Sequence, residues 1–329
     1  RRVHGEPHFT LAMNLIFPLL AILLTSLLPI SLSQLQLGFY ATTCPLAESI
    51  VTNAVVSATN TDSRVPAVLL RLHFHDCFVE GCDGSILIDN GPNSEKNADA
   101  HQGVAGFSII DDIKAQLEST CPGVVSCSDI LALAARDSIA ASNGPSYEVP
   151  TGRRDGRVSD MSRAANMPDV DDNIDTLKEK FGGKGFSERE LVVLSASHTI
   201  GTTACFFMNK RLFSFSLQSA TDPEINPLFI NELRSVCPQD GDINRRLAID
   251  RNSELSFDRS IMQNMRDGFA VLASDARLYE DAQTRSEVDF YLDGNTFEDD
   301  YVAAMVKLGN LGILNGTSGE IRRVCSSFN

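Results

Sequence analysis

Eight cysteines that follow an apolar leader constrain the fold of this chain more than any other feature. An even number of cysteines behind a secretory leader indicates four disulfides that form in an oxidising compartment. Spacing alone does not choose among the many possible pairings. A zinc or iron–sulfur framework is the alternative, and the irregular spacing, with no C-x-x-C pair, argues against it. The cysteines are Cys44, Cys77, Cys82, Cys121, Cys127, Cys205, Cys237 and Cys325.

The leader is the uncharged, leucine-rich run of residues 15–30. A run of about sixteen residues that contains prolines is short for a membrane span. The run Ser31-Leu32-Ser33, with a small residue on each side of the leucine, offers a cleavage site, as is typical of a secretory signal. We therefore expect translation to start at Met13, residues 1–33 to be leader and signal peptide, and residues 34–329 to be secreted with no membrane contact after cleavage. An N-terminal anchor is the alternative.

The charge balance excludes some classes of partner. The chain has 28 Lys and Arg against 43 Asp and Glu, a formal net charge of −15 at pH 7. An acidic surface repels nucleic acids and anionic membranes. We therefore expect neither as a partner, although the charge does not identify a substrate.

Spacings of three and four between apolar residues predict an all-α protein, and alternating strand patterns are scarce. Ile109, Ile110, Ile113 and Leu117 indicate one helix, for which Ser108 is the predicted N-cap. The other helices are indicated around residues 50–55, 66–79, 130–135, 187–198 and 301–308, and the run Ser187-Glu-Arg-Glu190 has the pattern of a capping box.

Within the segment 66–79, Arg71 and His75 are four residues apart and share one face of the helix. A guanidinium next to an imidazole disfavours protonation of the imidazole, so His75 is a candidate proton acceptor near neutral pH. A structural salt bridge is the alternative role of Arg71. His73 lies about 200° around the helix from His75. A metal hydrolase built on His73, His75 and Asp76 is therefore disfavoured.

His198 stands at the predicted end of a second helix. A single histidine of this kind can ligate a haem iron from one side. Its other ring nitrogen then needs an acceptor such as a carboxylate. Asp275 is available, but the sequence alone does not select it from the other acidic residues.

The segment from Asp76 to Ser85 has oxygen ligands at short intervals, namely two carboxylates, a hydroxyl and the carbonyls of a glycine-containing turn. Calcium prefers ligands of this kind. An ordinary acidic loop is an equally open interpretation of this spacing.

Taken together, these motifs resemble those of the secretory plant haem peroxidases of class III, from about Gln34 to Cys325. The motifs that carry the resemblance are Phe39-Tyr40, Cys44-Pro45, the run Arg71 to Ser85, Glu95-Lys96, Val125 to Leu131, Gly152 to Asp155, Leu194 to Gly201, and Cys325. The resemblance implies a mainly helical, two-lobed fold with haem b between a distal lobe (34–150) and a proximal lobe (151–300). It also implies the disulfides Cys44–Cys121, Cys77–Cys82, Cys127–Cys325 and Cys205–Cys237, the third of which ties back the C-terminal segment.

The resemblance further implies an activity, in which hydrogen peroxide is reduced to water while phenolic donors are oxidised in one-electron steps by a monomer in the cell wall or apoplast. His75 would be the proton acceptor and donor, Arg71 the stabiliser of developing charge, and Phe74 part of the distal pocket. His198 would be the axial iron ligand supported by Asp275, and Pro168 would contact the donor. Two calcium ions are implied, a distal one with ligands Asp76, Val79, Gly81, Asp83 and Ser85, and a proximal one with ligands Thr199, Asp250, Ser253, Ser256 and Asp258.

The chain departs from the family pattern at several positions. His101 stands where the family has an Asn bonded to the distal His, and a neutral His101 can still accept a bond from His75 whereas a protonated one cannot. Activity that falls at acid pH is the hypothesis that follows. Ser253-Glu254 replaces a common Thr-Pro, which predicts a weaker proximal calcium site. A secreted haem-binding protein with impaired turnover is the non-enzymatic alternative.

Overall fold

Helices dominate the computed structural model, which describes Arg1 and residues 35–329. The predicted leader, the start at Met13 and the cleavage site lie outside the described residues. Within them the α-helices are α1 Ala47–Thr61, α2 Val65–Val79, α3 Phe107–Thr120, α4 Cys127–Ala141, α5 Ile174–Gly183, α6 Glu188–Ser195, α7 Asn209–Phe213, α8 Pro227–Val236, α9 Ser260–Asp267, α10 Ala273–Glu280, α11 Ala282–Asp293 and α12 Phe297–Leu308.

Two three-residue strands accompany the helices in the described part of the chain, and the predicted all-α class is confirmed. β1 Thr202–Ala204 pairs antiparallel with β2 Arg246–Ala248, so that Ala204 lies opposite Arg246. Short 3₁₀ helices occur at Ser85–Leu87, Glu95–Asn97, Asp99–His101, Met161–Asn166, Ala196–Thr199 and Cys205–Met208.

Two helix starts illustrate what local sequence predicts and what it misses. The capping box at Ser187 is confirmed, because its side chain accepts from the Glu190 amide and Glu190 accepts from the Ser187 amide. The predicted N-cap at Ser108 is wrong, since the N-cap is Gly106, with φ 93°. A Cβ at Gly106 would lie 3.0 Å from a Val68 methyl and 3.1 Å from a Leu69 methyl. The close approach of α2, which favours glycine there, therefore determines where α3 begins.

Helix α2 lies between two large hydrophobic cores. Leu69 and Leu72 belong to a core made mostly by α1 to α4, whereas Leu70 and Phe78 belong to a core with α5, α6 and α9 to α12. Eleven of its fifteen residues are buried. A helix that is buried on most of its faces holds its polar side chains rigidly, and α2 is the helix that carries Arg71 and His75.

Four disulfides are present, and they join the same pairs that the family resemblance implies. The pairs are Cys44–Cys121, Cys77–Cys82, Cys127–Cys325 and Cys205–Cys237. Residues Leu35–Asn329 form one compact unit. Within the described ranges, none of the helices has the combined length and apolarity that crossing a bilayer requires.

A buried ion pair fixes the loop that follows α4. Arg153 donates to Asp129 at 2.7 Å and to the Gly309 carbonyl at 2.8 Å, and both charged side chains are almost fully buried. Asp129 also accepts from the Tyr40 hydroxyl at 2.6 Å. A buried pair of this kind is satisfied by several hydrogen bonds at once, and removal of one partner would leave a charge unpaired. It connects α4 to the end of α12.

Candidate active site

Arg71 and His75 lie side by side on α2, as the sequence predicts. The Arg71 Nε donates to the His75 Nε2 at 3.1 Å, and a terminal nitrogen of Arg71 donates to the Gln102 carbonyl at 3.1 Å. Because Nε2 of His75 accepts a hydrogen bond, that nitrogen carries a lone pair and not a proton. His75 is therefore arranged to accept a proton at Nε2.

The electrostatic surroundings keep His75 neutral. Burial, followed by the charges of Arg71, His101 and His198, lowers the pKa of His75 well below its usual 6.5. Sequence reasoning named only Arg71 as a cause, whereas burial is the largest one. A neutral imidazole at physiological pH is the form that a general base requires.

Arg71 borders a cleft. Its side chain is exposed, yet burial is the main cause that lowers its pKa to about 10, followed by the charge of Arg246. A side chain that solvent can reach, but that protein atoms surround on most sides, lines a cleft. Within residues 35–329, Arg71 makes no ion pair with a carboxylate, so the structural salt bridge considered as its alternative role is wrong.

His101 extends the polar chain behind His75. The two Nδ1 atoms are 2.8 Å apart, and His101 Nε2 lies 3.6 Å from an oxygen of Glu95. His75 accepts at Nε2, so its Nδ1 carries the proton and donates to His101. His101 then carries its own proton at Nε2, which faces Glu95. Both oxygens of Glu95 are buried without a hydrogen bond.

His198 lies in the 3₁₀ turn that follows α6, and the structure selects its acidic partner. Its Nδ1 is 2.9 Å from an oxygen of Asp275, which is almost fully buried at the start of α10. Burial acts to lower the pKa of His198, and the charge of Asp275 and the hydrogen bond to it outweigh this, so the pKa is raised. The His198 side chain keeps 39% of its surface accessible, with Nε2 available to a ligand.

His75 and Arg71 lie on the same side of the fold as seen from His198, because charge acts between them. The charge of His198 contributes to the lowered pKa of His75, and the charge of Arg71 acts to lower the pKa of His198. His73 is elsewhere. It is buried 3.6 Å from the sulfur of Cys77, and burial and the charge of Arg153 lower its pKa to about 3. The paired metal ligands of a hydrolase are therefore not formed.

The predicted distal calcium ligands follow one another within a short segment, and all of them except the half-buried Asp83 are buried. Burial, then the charges of Asp83 and Glu95, raises the pKa of Asp76 well above its usual 3.8. One oxygen of Asp76 and the hydroxyl of Ser85 are buried without a hydrogen-bond partner. Buried oxygens in such a state fit a cation, which would satisfy the oxygens and offset the repulsion between carboxylates. Of the two predicted carbonyl ligands, those of Val79 and Gly81, the former also accepts from Lys184 at 2.6 Å.

The predicted proximal ligands also lie together, but their oxygens already have partners. Asp250 accepts from Thr199 at 2.8 Å and from Ser260 at 2.6 Å, and Asp258 accepts from Ser253 at 2.6 Å. Thr199 also lies 3.5 Å from the carbonyl oxygen of Ser256, the fifth predicted ligand. Burial raises the pKa of Asp250 to about 6. No group of three His, Cys, Asp or Glu suited to a metal occurs in the part of the chain described, so each set would need hydroxyl and carbonyl oxygens in addition to its two carboxylates.

Phe74 and Pro168 occupy different surroundings. Phe74 packs edge-on to His75 with ring centroids 5.8 Å apart, and contacts Phe78 at 5.0 Å. Pro168 is half-buried in the loop after the 3₁₀ helix Met161–Asn166. That 3₁₀ helix contacts both α2 and the turn that carries His101.

Sequence reasoning missed several residues of the site. Ser260 and Asn264 both donate to Asp250, and the only sequence signal is their four-residue spacing on a helix that begins soon after an acidic residue. Glu95 was recognised as part of a motif but not as the partner of His101. Arg246, on the exposed side of β2, gives no local signal at all.

Comparisons with known proteins agree with this geometry. The family model described as Peroxidase matches residues 51–294. The chain is 61% identical to Peroxidase 43 of Arabidopsis thaliana over 93% of its length and 96% of that protein, and 54% identical to Peroxidase 13 of the same plant over 91% and 94%. It is 46% identical to Peroxidase N1 of Nicotiana tabacum over 97% of each chain. The chain therefore belongs to the plant class III peroxidases, a family of haem enzymes that reduce hydrogen peroxide at the expense of an electron donor.

Proposed function

We propose that His75 and Arg71 on one side of the cleft, and His198 on the other, carry out the reduction of hydrogen peroxide to water with one-electron oxidation of phenolic donors. One observation carries the assignment. A neutral imidazole beside a guanidinium lies near enough to an imidazole hydrogen-bonded to a carboxylate for the charge of the second ring to lower the pKa of the first. The first pair suits proton transfer and charge stabilisation, and the second suits an electron-rich metal ligand.

The residues on the proximal side fit haem b. His198 uses Nδ1 for Asp275 and leaves Nε2 for the iron, while its accessible surface faces the cleft. Haem, when bound, supplies the redox-active iron at which the peroxide O–O bond is broken and through which donor electrons pass. The hydrogen bond to Asp275 increases the negative charge on the ring, which favours the oxidised iron.

The distal residues handle the proton. Nε2 of His75 would accept a proton from one peroxide oxygen and return it to the other, which leaves as water. The proton on Nδ1, held by His101, keeps the ring in the required tautomer. Arg71, whose guanidinium stays charged at neutral pH, stabilises the negative charge that develops on the oxygen atoms as the bond breaks.

Phenols fit as donors because they lose one electron readily and leave as radicals. We assign Pro168 to the contact with the aromatic donor and Phe74 to the wall of the pocket, next to His75. We further propose that the enzyme is a monomer formed by residues 34–329, with a distal lobe at 34–150, a proximal lobe at 151–300 and a C-terminal segment tied back by Cys127–Cys325. It acts after secretion, in the apoplast or cell wall, where disulfides are stable.

We assign two calcium ions as well. The distal ion would bind the carboxylates of Asp76 and Asp83, the Ser85 hydroxyl, and the carbonyls of Val79 and Gly81. The proximal ion would bind Asp250 and Asp258 with the Thr199 and Ser253 hydroxyls and the Ser256 carbonyl. Unpaired buried oxygens support the first site most directly, and clustered carboxylate and hydroxyl oxygens support the second.

The test is a haem-loaded, calcium-replete preparation with intact disulfides. We expect a strong Soret band and peroxide-dependent oxidation of guaiacol, and His198→Ala should abolish both. A Soret band without turnover would favour the haem-binding protein with impaired turnover. A colourless protein, or turnover that survives His198→Ala, would overturn the assignment.

A further inference from the structure

Arg246 is held at one edge of the cleft by the strand opposite it. Its Nε donates to the Thr202 hydroxyl at 2.7 Å, and a terminal nitrogen donates to the Thr202 carbonyl. A guanidinium has five N–H donors, and these bonds orient it while leaving others unused. The side chain is exposed, so the unused donors face solvent or a ligand.

The anchor of Arg246 places it close to the catalytic helix. Thr202 follows Gly201, where an added Cβ would lie only 2.7 Å from the Cβ of Ala67. Ala67 precedes Arg71 by about one helical turn on α2. Thr202 also follows His198 by four residues. The residue that anchors Arg246 therefore lies next to the helix that carries Arg71 and four residues beyond His198.

Arg246 and Arg71 are like charges that act on each other, and the charge of Arg246 contributes to the lowered pKa of Arg71. Throughout residues 35–329, neither side chain forms an ion pair with a carboxylate, although the whole chain has 43 acidic residues. Two unpaired guanidiniums at one rim repel each other and attract an anion. Carboxylates suit them best, because the guanidinium fork matches a carboxylate in a bidentate bond.

We propose that Arg246, together with Arg71, binds a carboxylate at the mouth of the active-site cleft. The inference rests on the proposed function and adds a specificity determinant to it. The carboxylate can belong to either of two molecules. One is a phenolic donor with an acid side chain, such as a hydroxycinnamate, and the other is the haem, through one of its propionates. Both would meet Arg246 at the rim.

A matched pair of variants and a matched pair of donors separate the two sources. Arg246→Gln removes the charge and keeps a hydrogen-bonding side chain. Arg245→Gln is the control, because Arg245 is the adjacent exposed arginine and its described hydrogen bonds are made by its backbone, with its carbonyl accepting from the Cys205 amide and its amide donating to the Asp242 carbonyl. Ferulate and coniferyl alcohol are the donors, because they share the same phenol and ferulate has a carboxylate where coniferyl alcohol has a hydroxyl. Haem retention is measured by its loss to excess apomyoglobin.

If the donor carboxylate binds, Arg246→Gln raises KM for ferulate about tenfold, the size of a lost charge-assisted hydrogen bond, and leaves coniferyl alcohol unchanged. If the haem carboxylate binds, Arg246→Gln speeds haem loss by about the same factor and affects both donors alike. Arg245→Gln should change neither. The inference is wrong if Arg246→Gln matches Arg245→Gln in both measurements while the wild type shows a Soret band and turns over coniferyl alcohol. Lack of both in the wild type would instead refute the proposed function.

Discussion

His75 and His198 carry the same imidazole, but one lies beside a guanidinium and the other beside a carboxylate. Burial and neighbouring positive charges lower the pKa of His75, whereas Asp275 raises that of His198 against the effect of burial. The partner of each ring therefore decides its chemistry. The distal ring is suited to take up and release a proton, and the proximal ring to donate electron density to a metal.

The two predicted calcium sites also differ, in whether their oxygens already have hydrogen-bond partners. On the distal side an oxygen of Asp76 and the hydroxyl of Ser85 are buried without partners. On the proximal side, serine, threonine and asparagine donors already satisfy Asp250 and Asp258. A buried carboxylate without a partner is costly, whereas a hydrogen-bonded one is tolerated. We infer that the distal side depends more strongly on its cation.

The largest expected effect tests the role of the distal histidine. His75→Ala removes the proton acceptor but not the iron ligand, so the Soret band should persist while the rate of reaction with peroxide falls about 10²- to 10⁴-fold. Stopped-flow measurement of that reaction provides the check. A variant that reacts at the wild-type rate would show that the distal and proximal rings do not differ in function as proposed.

The second effect concerns the two calcium sites. Stripping calcium from the wild type should lower the free energy of unfolding by about 3 kcal/mol, the value for a ligand held at roughly a hundred times its Kd. Asp76→Asn should lose most of this response, because it removes a charged distal ligand. Ser253→Ala, which deletes one proximal hydroxyl, should keep most of it.

Thermal denaturation with calcium or with a chelator measures both variants. If the stability of Ser253→Ala no longer depended on calcium while that of Asp76→Asn still did, the ranking of the two sites would be reversed.

The third effect tests the carboxylate behind His198. Asp275→Asn keeps the size of the side chain but removes the charge that raises the pKa of His198. The ring then donates less electron density, so the midpoint potential of the iron should rise and activity should fall about 10- to 100-fold. Spectroelectrochemical titration gives the potential. An unchanged potential would mean that Asp275 only orients the ring.

The smallest effect concerns His101 and pH. The pKa of His75 is lowered, so its own protonation begins only well below pH 6.5. A protonated His101 could not accept the His75 Nδ1 proton, so the rate should fall several-fold at acid pH. His101→Asn retains an acceptor that does not titrate, so its profile should stay flat over this range.

Rates of peroxide reaction and of cyanide binding, measured across pH in both proteins, provide the test. Cyanide binding also needs a distal proton acceptor, and it does not depend on turnover. Superimposable profiles of the wild type and His101→Asn would exclude the role of His101.

Local patterns in the sequence were enough to predict the helical class, the capping box at Ser187 and the shared face of Arg71 and His75. These depend on residues within a few positions of one another, where helix geometry alone determines the spacing. The resemblance to a known family supplied what local patterns did not, including the choice of Asp275 among many acids.

Tertiary structure alone decided the remaining features. The contact of His101 with Glu95, the start of α3 at Gly106 and the position of Arg246 beside α2 each depend on how separate segments pack. Such contacts join residues that are distant in sequence, or backbone that approaches too closely for a side chain, and neither periodicity nor composition encodes them. The sequence by itself therefore determined which chemical groups and helices this protein has, and only packing decided which of those groups meet at the cleft.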